Sequence, residues 1–314
     1  IRAELRGIDS HGITRIPIYT ERIRRGVVNP QPRLRFERRL GGVATLDGDN
    51  GSGAVVGWHA NQEAIRLAKE HGVGCVAARR SNHYGICSMY TMEAAAHGCV
   101  GISSTNASPS MAVWGGRDPV IGTNPLSFAV PAGRHPPIVL DMATSVVARG
   151  KIVEKAKRGE PIPQGWALDR AGRPTTDART AEAGVILPLG PKGSGLAVFV
   201  DVLCGVLTGA AYGGLLNNMY RNFTDPQDIG HFFLALDIAA FQPPALFAER
   251  IDDMIDRLKA SAPAEGHAAV LMPGEIEARL EEQLLREGIA LPANVRDDLR
   301  RTADALGVAA PDGL

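Results

Sequence analysis

Apolar runs of strand length alternate with segments of helical length along most of the chain, which restricts the fold to the α/β class. Val43-Ala44-Thr45-Leu46 reads as a short strand, followed by a glycine-rich turn over Gly48 to Gly57 and a helix from about Trp58 to Glu70. Val73 to Ala78 is a strand that runs directly into Ser81-Asn82-His83. A helix over Ser88–Ala96 stops at Gly98, and Val100 to Ser103 returns as a strand. Further strands are predicted at Pro125–Val130, Ile138–Leu140, Phe232–Leu236 and Ala268–Met272. Helices are predicted up to Gly7, over Pro17–Arg25 and Pro244–Ala260, and after Met272 to the C-terminus. Residues 158–190 are rich in turns and read as a functional surface, because long irregular stretches in compact proteins are often binding loops. At 314 residues the chain suggests two domains at about 150 residues each.

Gly51-Ser52-Gly53-Ala54-Val55-Val56-Gly57 lies between a strand and a helix, the place of a dinucleotide fingerprint. The spacing is one residue too long for GxGxxG, and Arg79 and Arg80 stand where an acidic residue would close the next strand. A tight turn is the preferred reading; the alternative is that those arginines meet a cofactor 2′-phosphate. Gly190-Pro191-Lys192-Gly193-Ser194-Gly195 precedes a segment of small residues, Leu196 to Leu216, read as a buried helix rather than a membrane span. Glycines beside a helix N-terminus and a lysine suit contact with phosphate or pyrophosphate, although the order differs from that of a P-loop; the alternative is an ordinary helix entry.

Asp9-Ser10-His11-Gly12-Ile13-Thr14-Arg15 and Ser81-Asn82-His83-Tyr84-Gly85 each place a histidine among turn-forming residues. Histidine moves a proton near neutrality, and arginine grips a carboxylate through two parallel hydrogen bonds. The pair suits redox or proton-transfer chemistry on a small carboxylic acid. His59, His71, His97 and His135 read as surface or helix-end residues.

Basic and acidic residues balance at 34 each, which argues against a nucleic-acid partner. The local cluster Arg33, Arg35, Arg38 and Arg39 reads as a solvated strand edge, and Tyr19, Phe36 and Phe128 are scattered. Cys75, Cys87, Cys99 and Cys204 lack paired CxxC spacing, so free thiols in a reducing cytoplasm are expected, with no metal. The chain opens without methionine in apparent mid-helix at Ile1-Arg2-Ala3-Glu4-Leu5-Arg6, which predicts further residues upstream.

Taken together, Asp9–Arg15, Ser81–Gly85, Thr105–Pro109, Gly122–Pro125, Val139–Ser145, Pro163–Asp169, Leu187–Gly195, Gly230–Leu236 and Met272–Glu275 closely resemble the malate/L-lactate dehydrogenase family of the second type. The segments run in family order across nearly the whole chain. The resemblance implies hydride transfer between NAD or NADP and a small 2-hydroxy or 2-oxo acid such as malate, lactate or ureidoglycolate, without a metal. It implies a mixed, largely antiparallel sheet covered by helices and a cofactor domain that is not a Rossmann fold. It also implies discontinuous domains, expected as 1–75 with 215–314 for substrate and dimerisation and 76–214 for cofactor, and an active site near a homodimer interface.

By the same resemblance, Arg15 meets the substrate carboxylate, with Ser10, Thr123 and Asn124 nearby, and His83 exchanges the hydroxyl proton with His11 beside it. Either histidine has been read as the acid/base in this family. Cofactor contacts are expected at Ser108, Asp141, Met142, Ala143, Lys192, Gly193, Pro273, Gly274 and Glu275. The choice between NAD and NADP stays open, with Arg79, Arg80 and Arg134 as candidates for a 2′-phosphate. Reduction of a cyclic imine 2-carboxylate and a non-catalytic binding homologue are the alternative functions.

Overall fold

The computed structural model of the chain describes residues 1–310, without the side chains of Arg38 and Arg39. Those two side chains of the expected basic edge, and the last four residues of the expected C-terminal segment, lie outside the description. The strands are β1 (Arg35–Leu40), β2 (Val43–Asp47), β3 (Val73–Ser81), β4 (Cys99–Thr105), β5 (Leu126–Val130), β6 (Ile138–Met142), β7 (Ala167–Leu168), β8 (Pro174–Thr175), β9 (Val185–Ile186) and β10 (Ile229–Asp237). A seven-stranded sheet runs β1-β2-β3-β10-β4-β5-β6, and a small three-stranded sheet runs β8-β7-β9. In the large sheet β2 and β3 pair in parallel; the other described pairs are antiparallel. The sheet is therefore mixed and largely antiparallel.

The helices are α1 (Arg2–Leu5), α2 (Ile16–Arg24), α3 (Gly53–His71), α4 (Ser88–Ala96), α5 (Arg149–Arg158), α6 (Ala178–Ala183), α7 (Gly190–Asp201), α8 (Pro244–Lys259), α9 (Glu275–Glu287) and α10 (Ala293–Leu306). One row of residues explains how α3 and α4 cover the sheet. Gly74, Ala235, Gly101 and Ala129 stand in register across β3, β10, β4 and β5. A Cβ on Gly74 would lie 1.8 Å from the Ala64 carbonyl oxygen, and one on Gly101 would lie 2.7 Å from Ala94 and from the Thr91 carbonyl. The row leaves the helices space to lie against the strands, and Val56, Ala60, Leu67, Val76, Tyr90 and Phe233 fill the core between them.

The opposite face is covered by α7 and the π-type turn that follows it over Val202–Val206, with Gly230 of β10 against Cys204. The N- and C-terminal segments are tied by Arg2 and Arg6, both paired with Glu281 of α9. The domain division expected from sequence passes through the large sheet, since β10 hydrogen-bonds between β3 and β4.

Several sequence expectations are corrected. Helix α3 begins at Gly53 rather than near Trp58, so part of the glycine-rich turn is helical. The Gly190–Gly195 segment is the first half of α7 rather than its lead-in. That helix passes into the π-type turn and Gly209 (φ +77°) instead of continuing to Leu216, and its outer side is exposed: Phe199, Val202, Val206 and Leu207 all face outward. Ala268–Met272 is irregular, because it makes no ladder; Val139 N–H donates to the Pro273 carbonyl and Gly274 (φ +83°) then turns the chain into α9. Residues 158–190 hold β7, β8, β9 and α6, and with α5 they enclose a small core around Ile152, Ile162, Ala167 and Ile186. Among the described residues, no helix is long and apolar enough to cross a membrane.

Candidate functional site

The expected site residues sit on loops that leave one edge of the sheet. Ile229 pairs with Ser81 and His231 with Thr105; Ser104 pairs with Leu126, and Leu126 with Met142. The C-terminal ends of β3, β4 and β6 and the N-terminal ends of β5 and β10 therefore share that edge. The loops after Ser81, Thr105 and Met142, and those before Leu126 and Ile229, converge there.

His11 and His83 come from distant segments and stack, with ring centroids 5.4 Å apart and planes 30° apart. Ser10 Oγ lies 2.8 Å from His11 Nδ1, while Tyr19 Oη lies 2.5 Å from His83 Nδ1. The His83 backbone N–H donates to Gln227 Oε1 at 3.2 Å, and the Gly85 N–H approaches His83 Nδ1 at 3.4 Å. Arg15 ends a 3-10 turn (Ile13–Arg15) that feeds into α2, so Arg15, Tyr19 and Arg22 follow one another at helical spacing on one side of that helix. The Arg15 Nε is buried without a hydrogen-bond partner, and its guanidinium carbon lies 5.5 Å from the Tyr220 ring centroid.

Two glycines let these segments close together. A Cβ on Gly12 would fall 2.2 Å from Glu4 Oε1, the buried carboxylate oxygen that accepts the Ile13 N–H at 2.6 Å and so holds the His11 loop. A Cβ on Gly53 would fall 1.9 Å from the Asn82 carbonyl and 2.5 Å from His83 backbone atoms. The glycine turn before α3 thus packs the helix start against the histidine loop. Asn82 Nδ2 adds bonds to the carbonyls of Asn50 (3.2 Å) and Gly51 (2.9 Å).

Burial dominates the electrostatics. It pushes His11 down to about 4, with Arg15 adding to the effect. His83 lies well below the ordinary histidine range for the same first reason, followed by His11, Arg15 and His231. Burial raises the Tyr19 phenol to about 12, against an opposing pull from Arg15. His231, fully buried, is pushed down to about 3; it bonds Thr105 Oγ1 and Ser81 Oγ at 2.8 Å each, and Tyr84 stacks on it at 4.4 Å. All three imidazoles are neutral at pH 7.

These shifts set an acid dependence of stability. Each histidine has a folded pKa below its unfolded value of about 6.5, so the unfolded chain binds more protons below that pH. Their contribution is complete above pH 6.5 and falls as pH drops, by up to about 1.4 kcal/mol per pH unit for each histidine. His11 stops adding to the slope near 4 and His231 near 3. Burial raises Glu4 and Asp141, which partly offsets the loss. The urea midpoint should fall clearly between pH 7 and pH 5; an unchanged midpoint would contradict this account.

The expected cofactor segments form a second, contiguous set. Thr144 N–H and Oγ1 both donate to the Thr123 carbonyl at 2.9 Å, and the Thr144 carbonyl accepts from Leu189 N–H at 2.9 Å. Gly193 lies against that turn, where a Cβ would be 2.9 Å from the Thr144 carbonyl. The Asp141-Met142-Ala143 end of β6 and the Lys192-Gly193 start of α7 are thereby brought together. Helix α7 has no side-chain cap at its N-terminus, and Lys192 is exposed beside it. Uncapped N–H groups and a nearby ammonium fit the pyrophosphate of a dinucleotide. Pro273 and Gly274 pack on Val139 of the same strand.

Other expected residues turn inward. Asn124 is fully buried, its amide nitrogen bonded to the Ala197 carbonyl (3.0 Å) and its oxygen to Ala107 N–H (3.0 Å). It fixes the loop rather than presenting a free amide to substrate. Asp141 Oδ2 accepts Ser88 N–H at 2.7 Å at the start of α4, and Ser108 Oγ donates to the Asn217 carbonyl at 2.9 Å. Glu275 accepts from Lys259 (2.7 Å), Met272 N–H (3.0 Å) and Arg279, so its carboxylate is committed to the α9 entry. Arg80 pairs with Asp47 at 2.9 Å and Arg134 with Asp252 and Asp256; Arg79 is exposed. His135 pairs with Asp256 at 2.8 Å, away from the site. Tyr19, Gln227, Glu4 and His231 were not expected from sequence; the four-residue step from Arg15 was the one available signal for Tyr19.

Residues 1–300 match the family model described as malate/L-lactate dehydrogenase. The chain is 38% identical to the malate dehydrogenase of Pyrococcus horikoshii, over 98% of this chain and 87% of that protein. It is also 38% identical to the L-sulfolactate dehydrogenase of Methanocaldococcus jannaschii, over 98% and 88% of the two chains. The solved sulfolactate dehydrogenase of that organism superposes with a TM-score of 0.92, again covering 98% and 88%. A delta1-piperideine-2-carboxylate reductase from Pseudomonas syringae is similar at 28% identity and a TM-score of 0.84, covering 96% and 89%. The chain belongs to the malate/L-lactate dehydrogenase family, and it is an NAD(P)-dependent 2-hydroxy acid dehydrogenase.

Proposed function

We propose that the chain interconverts a small 2-hydroxy acid, of the malate, lactate, sulfolactate or ureidoglycolate kind, with its 2-oxo acid. Arg15 holds the carboxylate, His83 exchanges the hydroxyl proton, and His11, steadied by Ser10, orients the reacting oxygen. The observation that carries the reading is the Arg15 guanidinium: its Nε is buried and unpartnered beside two stacked, desolvated histidines. A buried donor without a partner is costly, and a carboxylate would satisfy it. Thr123, whose carbonyl accepts from Thr144, is kept on the substrate side by the family resemblance alone, whereas Asn124 supports the loop.

The segment holding NAD or NADP is proposed as Ser108, Asp141-Met142-Ala143, Lys192-Gly193 and Pro273-Gly274-Glu275, with Lys192 and the α7 N-terminus facing the phosphates. The nicotinamide supplies the hydride acceptor or donor when bound. The protein's own part is to orient the acid, exclude water around the histidines and hold the proton. With Arg80 and Arg134 engaged by carboxylates, Arg79 is the remaining candidate of the three for a 2′-phosphate.

A second reading, reduction of a cyclic imine carboxylate, is supported by the likeness to the piperideine carboxylate reductase. Arg15 would serve that carboxylate equally well. A panel of malate, L-lactate, sulfolactate, ureidoglycolate and the cyclic imine, each with both nucleotides, tests the two. Turnover of a 2-hydroxy acid is expected without added metal; loss of activity on chelation, restored by zinc, would overturn the metal-free scheme. Among the described residues no group of three or more His, Cys, Asp or Glu is placed to hold a metal ion.

The reading extends to a homodimer, supported by the exposed apolar side of α7 and its π-type turn: Leu196, Phe199, Val202, Val206 and Leu207. A monomeric mass in solution would remove it. The four cysteines are free thiols, which supports a reducing compartment such as the cytoplasm.

A further inference from the structure

We propose that Tyr19 is a positioning residue for the reaction: it holds His83 in the tautomer that carries its proton on Nε2, and it refills His83 through Nδ1 as that proton is given up. The proposal rests on the reading of His83 as the acid/base. Its basis is geometric. Two groups approach His83 Nδ1, the Tyr19 hydroxyl at 2.5 Å and the Gly85 N–H at 3.4 Å. The backbone N–H can act as a donor and not as an acceptor, so Nδ1 presents its lone pair and the hydroxyl donates to it as well. The remaining proton of a neutral imidazole then sits on Nε2.

That arrangement leaves His83 with one proton and no reserve, since burial keeps the imidazolium from forming. In reduction of a 2-oxo acid, hydride from the reduced nicotinamide forms the new C–H bond at the carbonyl carbon. The carbonyl oxygen takes the proton from Nε2, breaking that N–H bond. The Tyr19 O–H bond breaks at the same time and its proton passes to Nδ1, so the imidazole stays neutral in its other tautomer. Burial disfavours the phenolate left behind and Arg15 only eases it, so it is transient: it takes the Nδ1 proton back, and Nε2 is reprotonated from water once the product has left. Oxidation runs the same transfers backwards. Tyr19 is suited to this by position: it lies on α2 one turn after Arg15 at the helix entry, so the carboxylate anchor and the reserve proton are carried by one continuous segment.

Tyr19→Phe keeps the ring and deletes the hydroxyl. With malate, or whichever acid in the panel turns over fastest, kcat should fall about 10- to 100-fold in both directions, a share of the usual worth of positioned proton transfer. KM for the acid, the Kd for NADH and the melting temperature should stay near those of the parent. A second variant carrying 3-fluorotyrosine at position 19, whose phenol is more acidic, should move the alkaline limb of the kcat profile to lower pH. Added to His83→Ala, Tyr19→Phe should cost nothing further. Unchanged kcat in Tyr19→Phe beside an impaired His83→Ala overturns the relay alone, as does an additive loss in the double variant or an unmoved alkaline limb. Full activity in His83→Ala overturns the acid/base reading and the relay with it.

Discussion

His83→Ala is expected to lower kcat by about 10²–10⁴-fold while leaving nicotinamide affinity nearly unchanged. The imidazole is neutral, desolvated and held at one nitrogen, which leaves the other nitrogen to exchange a proton with the substrate oxygen. The proposed cofactor segments contact the sheet edge elsewhere, through Thr123, Thr144 and Leu189, and none of them hydrogen-bonds the His83 ring among the described residues. His11→Ala should mainly raise KM, because its ring stacks on His83 and bonds Ser10 rather than taking part in the Tyr19 contact. Steady-state kinetics of both variants decide the assignment. A larger kcat loss at His11 would exchange the two roles, and full activity in both would move the site.

Arg15→Lys should lower kcat/KM by roughly 10²-fold, with KM raised and kcat reduced. Lysine keeps the charge but loses the planar pair of donors, so a carboxylate would be held by one point instead of two. The loss of kcat follows from geometry: a substrate free to pivot presents its carbinol carbon to the nicotinamide less often. The Tyr220 ring facing Arg15 would also lose its flat partner, because an ammonium does not stack as a guanidinium does. Unaltered constants for every acid accepted would take Arg15 out of the site.

The alternation of strands and helices was legible because burial on two faces leaves continuous apolar runs such as Val73–Ala78 in β3. The start of α3 was misread because glycine is a poor helix former, yet Gly53 is needed there for a backbone contact with the His83 loop. Ala268–Met272 has strand composition, but composition does not reveal whether a partner strand is present, and none pairs with it. Arg15, His11 and His83 stand out in the sequence through their turns and the family resemblance, and the two histidines do stack in the fold. Tyr19 was not legible, since its role depends on a contact with a residue 64 positions away that no local pattern encodes. Asn124, placed near the substrate by the resemblance, is buried and bonded at both ends of its amide, and no local pattern encodes that bracing of the loop.

Helix α2 and the turn that leads into it carry three of the side chains described above on one side: Arg15 at the proposed carboxylate site, Tyr19 at His83, and Arg22, buried, donating to the carbonyls of Met219 (3.2 Å), Asn222 (2.5 Å) and Asp225 (3.4 Å). Those carbonyls belong to the same stretch that presents Tyr220 over Arg15. Helix and stretch are consequently joined like a handle and its latch. A displacement at the rim, whether from a bulkier acid or from a neighbouring subunit, would turn the handle and shift anchor and proton reserve together. Changes in substrate range arising in residues 217–226 should therefore carry a correlated change in turnover, and the two properties would be hard to evolve apart.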